Sequence, residues 1–389
     1  MTTNRTKKAL VIGAGIGGLT AAAGLARAGY EVEVYERASG LRPAGTALSL
    51  MSNALTALDT IGIKPDFEGR AVVFDSLRFL TRTGRPIRTM HFGEIAAEVG
   101  QPNLAIHRAD LQQALLEQAD GCKVEVGATA TGFTRVGDEV RVDFQDGRQV
   151  YGDVVIGADG FNSAIRRGLV GAEQPNDAGY ICWRATPQFR HPKVTDGYAA
   201  HYWGRGQRFG LVDIGGGYVY WWATKNMPAA QARVWQGGKE AIARLFAGWA
   251  PEVRQTIEAT PAETIHSVPE EDRPFLERWG EGPVTLLGDA AHPMVSSLGQ
   301  GAAIAIEDGV VLAQCLASTD DVAGGLRAYE DHRRERARAI VEASRGLSRI
   351  EQLQHPLWTL GRRLYFQFAP ERTFREQNQA ALTFQGVPA

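Results

Sequence analysis

The sequence predicts an α/β protein: a parallel-sheet unit with an antiparallel sheet interleaved into it and helices at the C-terminus. Three observations carry this expectation. A glycine-rich turn near residue 13 lies between an apolar run and a helix of small residues; from about residue 176 to 275 the texture changes to aromatic-rich alternating strands; and a Gly-Asp turn at 288–289 restores the texture of the first unit. At 389 residues the chain is long for one core and suits two domains. Its hydrophobic content of 44%, charged content of 22% and formal charge of −2 are those of an ordinary globular protein, with no basic stripe for nucleic acid.

The first unit opens with the apolar run Ala9-Leu10-Val11-Ile12, predicted as a strand, followed by Gly13-Ala14-Gly15-Ile16-Gly17-Gly18. A helix is predicted over 19–28, stopped by Gly29, and a second strand over 31–35 ends at Glu36, with Arg37 next. A glycine-rich turn alone is weak evidence. With a strand before it, a helix after it and an acid about twenty residues on, it specifies a Rossmann-type dinucleotide cradle. Gly13 makes the turn, Gly15 lets backbone approach a pyrophosphate at the helix N-terminus, Gly18 lets helix pack on strand, and Glu36 is placed to accept from a ribose diol. NAD and FAD both satisfy this pattern.

Further along, helical periodicity covers 53–61 and 110–119, and Val140-Arg141-Val142-Asp143-Phe144 alternates before an Asp146-Gly147 hairpin turn. Strands are read at 180–185, 208–213 and 218–223, and the period-two geometry puts Tyr218, Tyr220 and Trp222 on one face and Val219, Trp221 and Ala223 on the other. The expected organisation is a discontinuous cofactor domain (1–75, 101–175, 276–340), a substrate sheet domain (76–100, 176–275) and a C-terminal helical segment (341–389). The run His332-Arg333-Arg334-Glu335-Arg336-Ala337-Arg338 reads as the solvated face of a helix.

The late segment runs from Val284-Thr285-Leu286-Leu287 through Gly288-Asp289-Ala290-Ala291-His292-Pro293 to Gly299-Gln300-Gly301 and an Ala-rich helix. With Asp153 to Arg166, which includes Asp159-Gly160, and the cradle, it resembles the class A flavoprotein monooxygenases, the family of para-hydroxybenzoate and salicylate hydroxylases. The resemblance implies a tightly but non-covalently bound FAD. It assigns the ribityl hydroxyls to Asp289, the pyrophosphate side to Arg108, shared duty toward FAD and the nicotinamide to Asp159, and the flavin pyrimidine ring to the backbone of Gly299, Gln300 and Gly301. It also implies NADH or NADPH as a transient reductant, O2 as co-substrate, and hydroxylation of an activated aromatic or heteroaromatic ring via a flavin C4a-hydroperoxide. The family commonly has a proline where this chain has Ser296, which implies altered flavin mobility or oxygen handling.

For substrate the residues name candidates only: Arg208, Tyr220, Arg184 and Trp222. Arg208 fits both an anion clamp and an interdomain ion pair; the aromatics fit a core equally well. The stretch from Gly206 to Tyr220 is similar to urate hydroxylases, so urate joins aromatic acids, quinolones and polyketide-like phenols as a candidate. A flavin oxidoreductase without oxygen insertion and a non-catalytic FAD-bound protein are the other readings. His292 reads as a turn residue, and no catalytic base is named. Cys122, Cys182 and Cys315 show no CxxC pairing and suit reduced thiols. The eight histidines form no metal-spaced cluster. Met1 to Lys8 has no apolar signal core, so a cytoplasmic enzyme, monomer or homodimer, with no membrane partner, is expected.

Overall fold

The structure is a computed structural model and describes residues 5–41 and 46–387; the first four residues of the Met1–Lys8 leader lie outside them. A five-stranded sheet is ordered Val284–Leu286, Val154–Gly157, Lys8–Ile12, Glu31–Glu36 and Lys123–Val126. All four of its pairings are parallel. Its central strands are apolar almost without interruption because helices and a hairpin sheet cover both faces: Leu10, Val11, Val155 and Ile156 are fully buried. The cradle helix Ile16–Arg27 packs against helix Gly301–Ala317 at a distance only small residues allow. A Cβ on Gly24 would lie 2.6 Å from that of Ala313, and one on Gly309 would lie 2.8 Å from the Ala21 nitrogen.

The larger sheet has seven strands, ordered His266–Asp272, Asn176–Ala185, Tyr218–Asn226, Gln207–Gly215, Ala199–Trp203, Ser76–Thr81 and Pro86–His91. One face buries Trp183, Phe209, Leu211 and Trp221 under helices Gly238–Leu245 and Pro251–Ala259. The alternation does the rest. Arg184, Arg208, Tyr220 and Trp222 share the other face, where Tyr220 and Trp222 pack with Ala47, Met51 and Ala199.

One helix runs unbroken over Val322–Glu351, and the next proline, Pro356, opens the following helix, Pro356–Phe368. One expectation is corrected at the C-terminus, because the charge run is not a solvated face. Arg333 is fully buried and Arg336 nearly so. Arg333 reaches Asp308 at 2.8 Å and Glu307 at 2.7 Å, and Arg336 makes two contacts with Glu307 at 2.6 and 2.7 Å. His332 and Glu335 are exposed, and Arg334 and Arg338 are half-buried. The i, i+3 spacing of the two buried arginines, read against Glu307-Asp308 on the preceding helix, is the signal for this.

Candidate active site

The cradle glycines differ in what a side chain would meet. On Gly13, at φ +110°, a Cβ would sit 2.3 Å from the Ala158 carbonyl oxygen, and on Gly18 it would sit 2.0 Å from that of Gly13; on Gly15 it would meet nothing within 4 Å. Gly15 therefore faces open space at the start of a helix that no side chain caps. The free amides of that first turn form a ready anion site. Glu36 sits beside it, but its carboxylate accepts from the Ala14 and Ala38 amides, both at 2.9 Å, so it braces the cradle as well as facing it. Gln112 adds a second brace, donating to the Ala14 carbonyl at 2.6 Å. Arg37 and Arg108 are exposed, and Arg108, the first residue of helix Arg108–Gln118, has no side-chain hydrogen bond among the described residues.

The Gly-Asp turn converges on the same cleft. Asp289 is exposed, with Oδ1 4.0 Å from where a Gly301 Cβ would be. Gly299 is left-handed at φ +66°, and helix Gly301–Ala317 also lacks a side-chain cap. Gln300 turns its side chain inward, where Oε1 accepts from Asn53 at 3.2 Å; Asn53 also donates to Glu307 at 2.7 Å. Two uncapped helix starts, an open glycine and an exposed carboxylate between them fit a dinucleotide carrying a polyol and a ring that becomes negative on reduction.

Beneath the cleft the polar groups are structural. Asp308 accepts from the Gly288 amide at 3.1 Å and meets His292 Nε2 at 2.6 Å. Burial pushes Asp308 up, but His292 and Arg333 outweigh it and hold its carboxyl below the usual range. His292 is thus a turn residue, 1% exposed, as its place in the motif suggested. Asp159 caps the helix Ala164–Val170, accepting from Ser163 Oγ at 2.5 Å and the Ala164 amide at 2.7 Å, and burial raises its pKa. Arg166 ties the Asp159 and Gly288 segments together, donating to the Ala290, Ala291 and Pro274 carbonyls and to Glu173. These contacts give Asp159 and Arg166 bracing roles in the fold.

On the sheet face, both arginine candidates are paired. Arg184 meets Glu270, which also accepts from the Ser296 amide at 3.1 Å and its hydroxyl at 3.0 Å. Ser296 is therefore held from the sheet by a buried carboxylate. Arg208, 1% exposed, meets Glu351 at the end of the long helix, so of its two readings the ion pair is the one formed. Trp222 lies across Gly210, where a Cβ would come within 2.1 Å of the indole, and contacts His201 edge-on at 4.9 Å. Burial pushes the Tyr220 hydroxyl up to about 12, keeping it a donor. Glu270, His201 and Glu351 were not singled out in the sequence, since none sits in a motif and their ion-pair partners lie 86 to 150 positions away.

Burial and the Arg208 cation hold His201 at about 3; Glu351 lies 3.5 Å from Nδ1, but its charge is engaged by Arg208. The folded pKa is depressed below the ordinary 6.5, so the unfolded chain binds the extra proton in acid. This contribution to stability is fully present above about pH 6.5 and is lost as pH falls toward 3, at about 1.4 kcal/mol per pH unit. Urea unfolding at pH 6 and pH 4.5 is expected to show His201→Gln losing roughly 2 kcal/mol less than the parent over that interval. Equal losses would mean that His201 is protonated in the folded protein.

Comparison with known proteins identifies the family. A family model described as FAD binding domain matches residues 6–344. The chain is 36% identical over 346 residues to an aurachin C monooxygenase/isomerase of Stigmatella aurantiaca, covering 89% of this chain and 90% of that protein. It is 32% identical over 340 residues to an FAD-dependent urate hydroxylase of Klebsiella pneumoniae, covering 87% and 88%. The crystal structure of Klebsiella pneumoniae HpxO complexed with FAD and uric acid superposes with a TM-score of 0.89 at 29% identity, over 97% of this chain and 96% of that one. Among the described residues, no helix is long and apolar enough to cross a membrane.

Proposed function

The chain belongs to the FAD-binding family of aromatic flavoprotein monooxygenases, and from that premise we propose that it hydroxylates a small aromatic or heteroaromatic ring with NAD(P)H as reductant and O2 as co-substrate. The observation that carries the reading is the set of two uncapped helix starts, at Gly15 and at Gly301, with the exposed carboxylate of Asp289 beside the second. When bound, FAD supplies hydride acceptance from the nicotinamide and activation of O2 for transfer of one oxygen atom to an electron-rich ring carbon.

The residues present would hold it as follows. The amides at Gly15 and the cradle helix receive the pyrophosphate, with Arg108 as a side-chain donor and Arg37 at the rim. Glu36 offers its remaining lone pairs to the adenosine ribose, and Asp289 accepts from the ribityl chain. The helix start at Gly301 stabilises the negative charge of the reduced ring. Asp159, though engaged in its helix cap, borders the cleft from the Gly160 turn and serves the cofactor through position. Tyr220 and Trp222 form an apolar wall that orients the substrate ring and keeps water out, with Arg208 and Arg184 on the same sheet face. We assign the cofactor to 1–75, 101–175 and the region after 276, and the substrate wall to 76–100 and 176–275. The free thiols Cys122, Cys182 and Cys315 suit a reducing cytoplasm.

The test is NADH and NADPH oxidation by the FAD-loaded protein under air, with urate, salicylate-type acids, quinolones and larger phenols supplied in turn, hydrogen peroxide and oxygenated product being quantified together. One or more rings should stimulate oxidation at least tenfold and yield product with little peroxide. Peroxide without product from every ring would overturn the monooxygenase reading in favour of an oxidase-type reaction.

A further inference from the structure

The helix Pro356–Phe368 is fastened to the protein by one side only. Arg362 turns inward and donates to the Ile350, Glu351 and Gly204 carbonyls at 3.1, 2.7 and 2.8 Å, and Phe366 joins Phe79, Ile87, Trp203 and Phe374 in a buried cluster. The other side is apolar and open. Leu357, Trp358 and Phe368 are 71%, 68% and 72% exposed, and Leu360, Leu364 and Tyr365 are 46%, 42% and 51% exposed. Side chains of this size cover about 150–250 Å² each, so together they present on the order of 700 Å² to solvent. That exceeds the largest apolar patch of an ordinary monomer, roughly 300–600 Å², and approaches the roughly 800 Å² that each member gives to a stable pair.

The pattern names what covers it. At 3.6 residues per turn, Leu357, Trp358, Leu364, Tyr365 and Phe368 all fall within about 60° of Gly361, which lies on the midline of the stripe. Gly361 is exposed, and a Cβ there would meet nothing within 4 Å. The fold of one chain therefore does not require glycine at this position, although glycine costs an exposed helix interior about 1 kcal/mol relative to alanine. A second helix crossing here does require it, because the distance between helix axes is set by the side chains at the contact. The spacing is also symmetric. Trp358 and Leu364 stand three residues to either side of Gly361, and Leu357 and Tyr365 four. A two-fold axis at Gly361 sets Trp358 against the other copy's Leu364, and Tyr365 against the other copy's Leu357, so each aromatic meets a leucine in a self-complementary contact. A lipid surface fits less well. Of the two cations on the helix, Arg362 is spent on carbonyls, and Arg363 lies about 160° around from Gly361, so the helix brings no basic rim to its stripe.

We propose that two copies of this protein pair through helix Pro356–Phe368, antiparallel across a two-fold axis at Gly361. Arg362 and Phe366 already hold the helix in place, so little ordering opposes the pairing. The pairing is independent of the reaction assigned above.

The experiment is analytical ultracentrifugation of the FAD-loaded protein at about 20 µM, since interfaces of this size hold with micromolar to picomolar affinity. The parent should sediment at twice the 42.2 kDa chain mass. Gly361→Glu sets two like charges face to face across the axis and should sediment as a monomer, with FAD content and melting temperature as controls for folding. Gly361→Cys reads the axis itself. Helix axes about 8–10 Å apart, with Cα atoms about 2.3 Å off each axis, leave facing Cα atoms roughly 4–5 Å apart, within disulfide reach. Mild oxidation should link Gly361→Cys into a covalent dimer. Leu360→Cys, at the edge of the stripe, and the parent, whose cysteines are buried or half-buried, should stay unlinked. Should the glutamate variant not fold, the cross-link decides alone. A monomeric parent overturns the proposal, and its adsorption to phosphatidylglycerol vesicles would give the face to lipid instead. A dimer that survives Gly361→Glu, or that links no faster through Gly361→Cys than through Leu360→Cys, overturns it as well.

Discussion

Gly15→Val is expected to give a folded protein that no longer retains FAD. Gly15 has φ −70° and ψ 179°, extended geometry that valine adopts without strain, and its Cβ would touch nothing within 4 Å. The apoprotein should therefore melt within about 2 °C of the parent apoprotein, the shift of a change worth only a few tenths of a kcal/mol. The isopropyl group would occupy the space over the uncapped helix start, where the pyrophosphate needs backbone contact. Losing two charge-assisted hydrogen bonds at about 1.5–3 kcal/mol each raises the FAD dissociation constant by roughly 100-fold or more. Flavin absorbance after gel filtration with added FAD checks this. Normal flavin content would mean that the cofactor does not approach the chain at Gly15. Gly18→Ala should behave differently, because its methyl would lie 2.0 Å from the Gly13 oxygen and injure the fold itself.

Arg333→Ala is expected to destabilise the protein by about 3–5 kcal/mol, the cost of leaving buried carboxylates without their cation. Arg336 still serves Glu307, but Asp308 keeps only His292 and the Gly288 amide. Lysine should not rescue it, since one ammonium cannot reproduce a guanidinium spanning two acids. FAD retention should fall with stability, because Asp308 anchors the turn that presents Asp289. Urea midpoints with unchanged m-values give the measurement; a loss under about 1 kcal/mol would show that the network relaxes without its centre.

The elements bound to local pattern were legible in the sequence. The cradle announces itself because turn, close approach and helix packing each demand glycine at fixed offsets, and the sheet face holding Tyr220 and Trp222 follows from alternation alone. What escaped were partnerships across the fold. Arg333 and Arg336 look like a solvated run because composition does not reveal which helix face meets Glu307-Asp308. Arg208 stays between an anion clamp and an ion pair because Glu351 is 143 residues away. Glu270 is invisible for the same reason, since Arg184 lies 86 residues away.

The strand order has a consequence for how this chain comes into being. Strand Val284–Leu286 closes one side of the sheet whose middle is Lys8–Ile12, so the glycine turn is made long before its neighbourhood is completed. At a ribosomal pace of about 5–20 residues per second the gap amounts to roughly 15–50 s. Through that interval the first strands stand with an unpaired edge and an unroofed apolar face, the condition that invites aggregation and chaperone binding. No early fragment of this protein should be able to hold the cofactor. Dividing the gene at the sheet-domain insertion should yield two insoluble pieces, because neither contains a finished cradle.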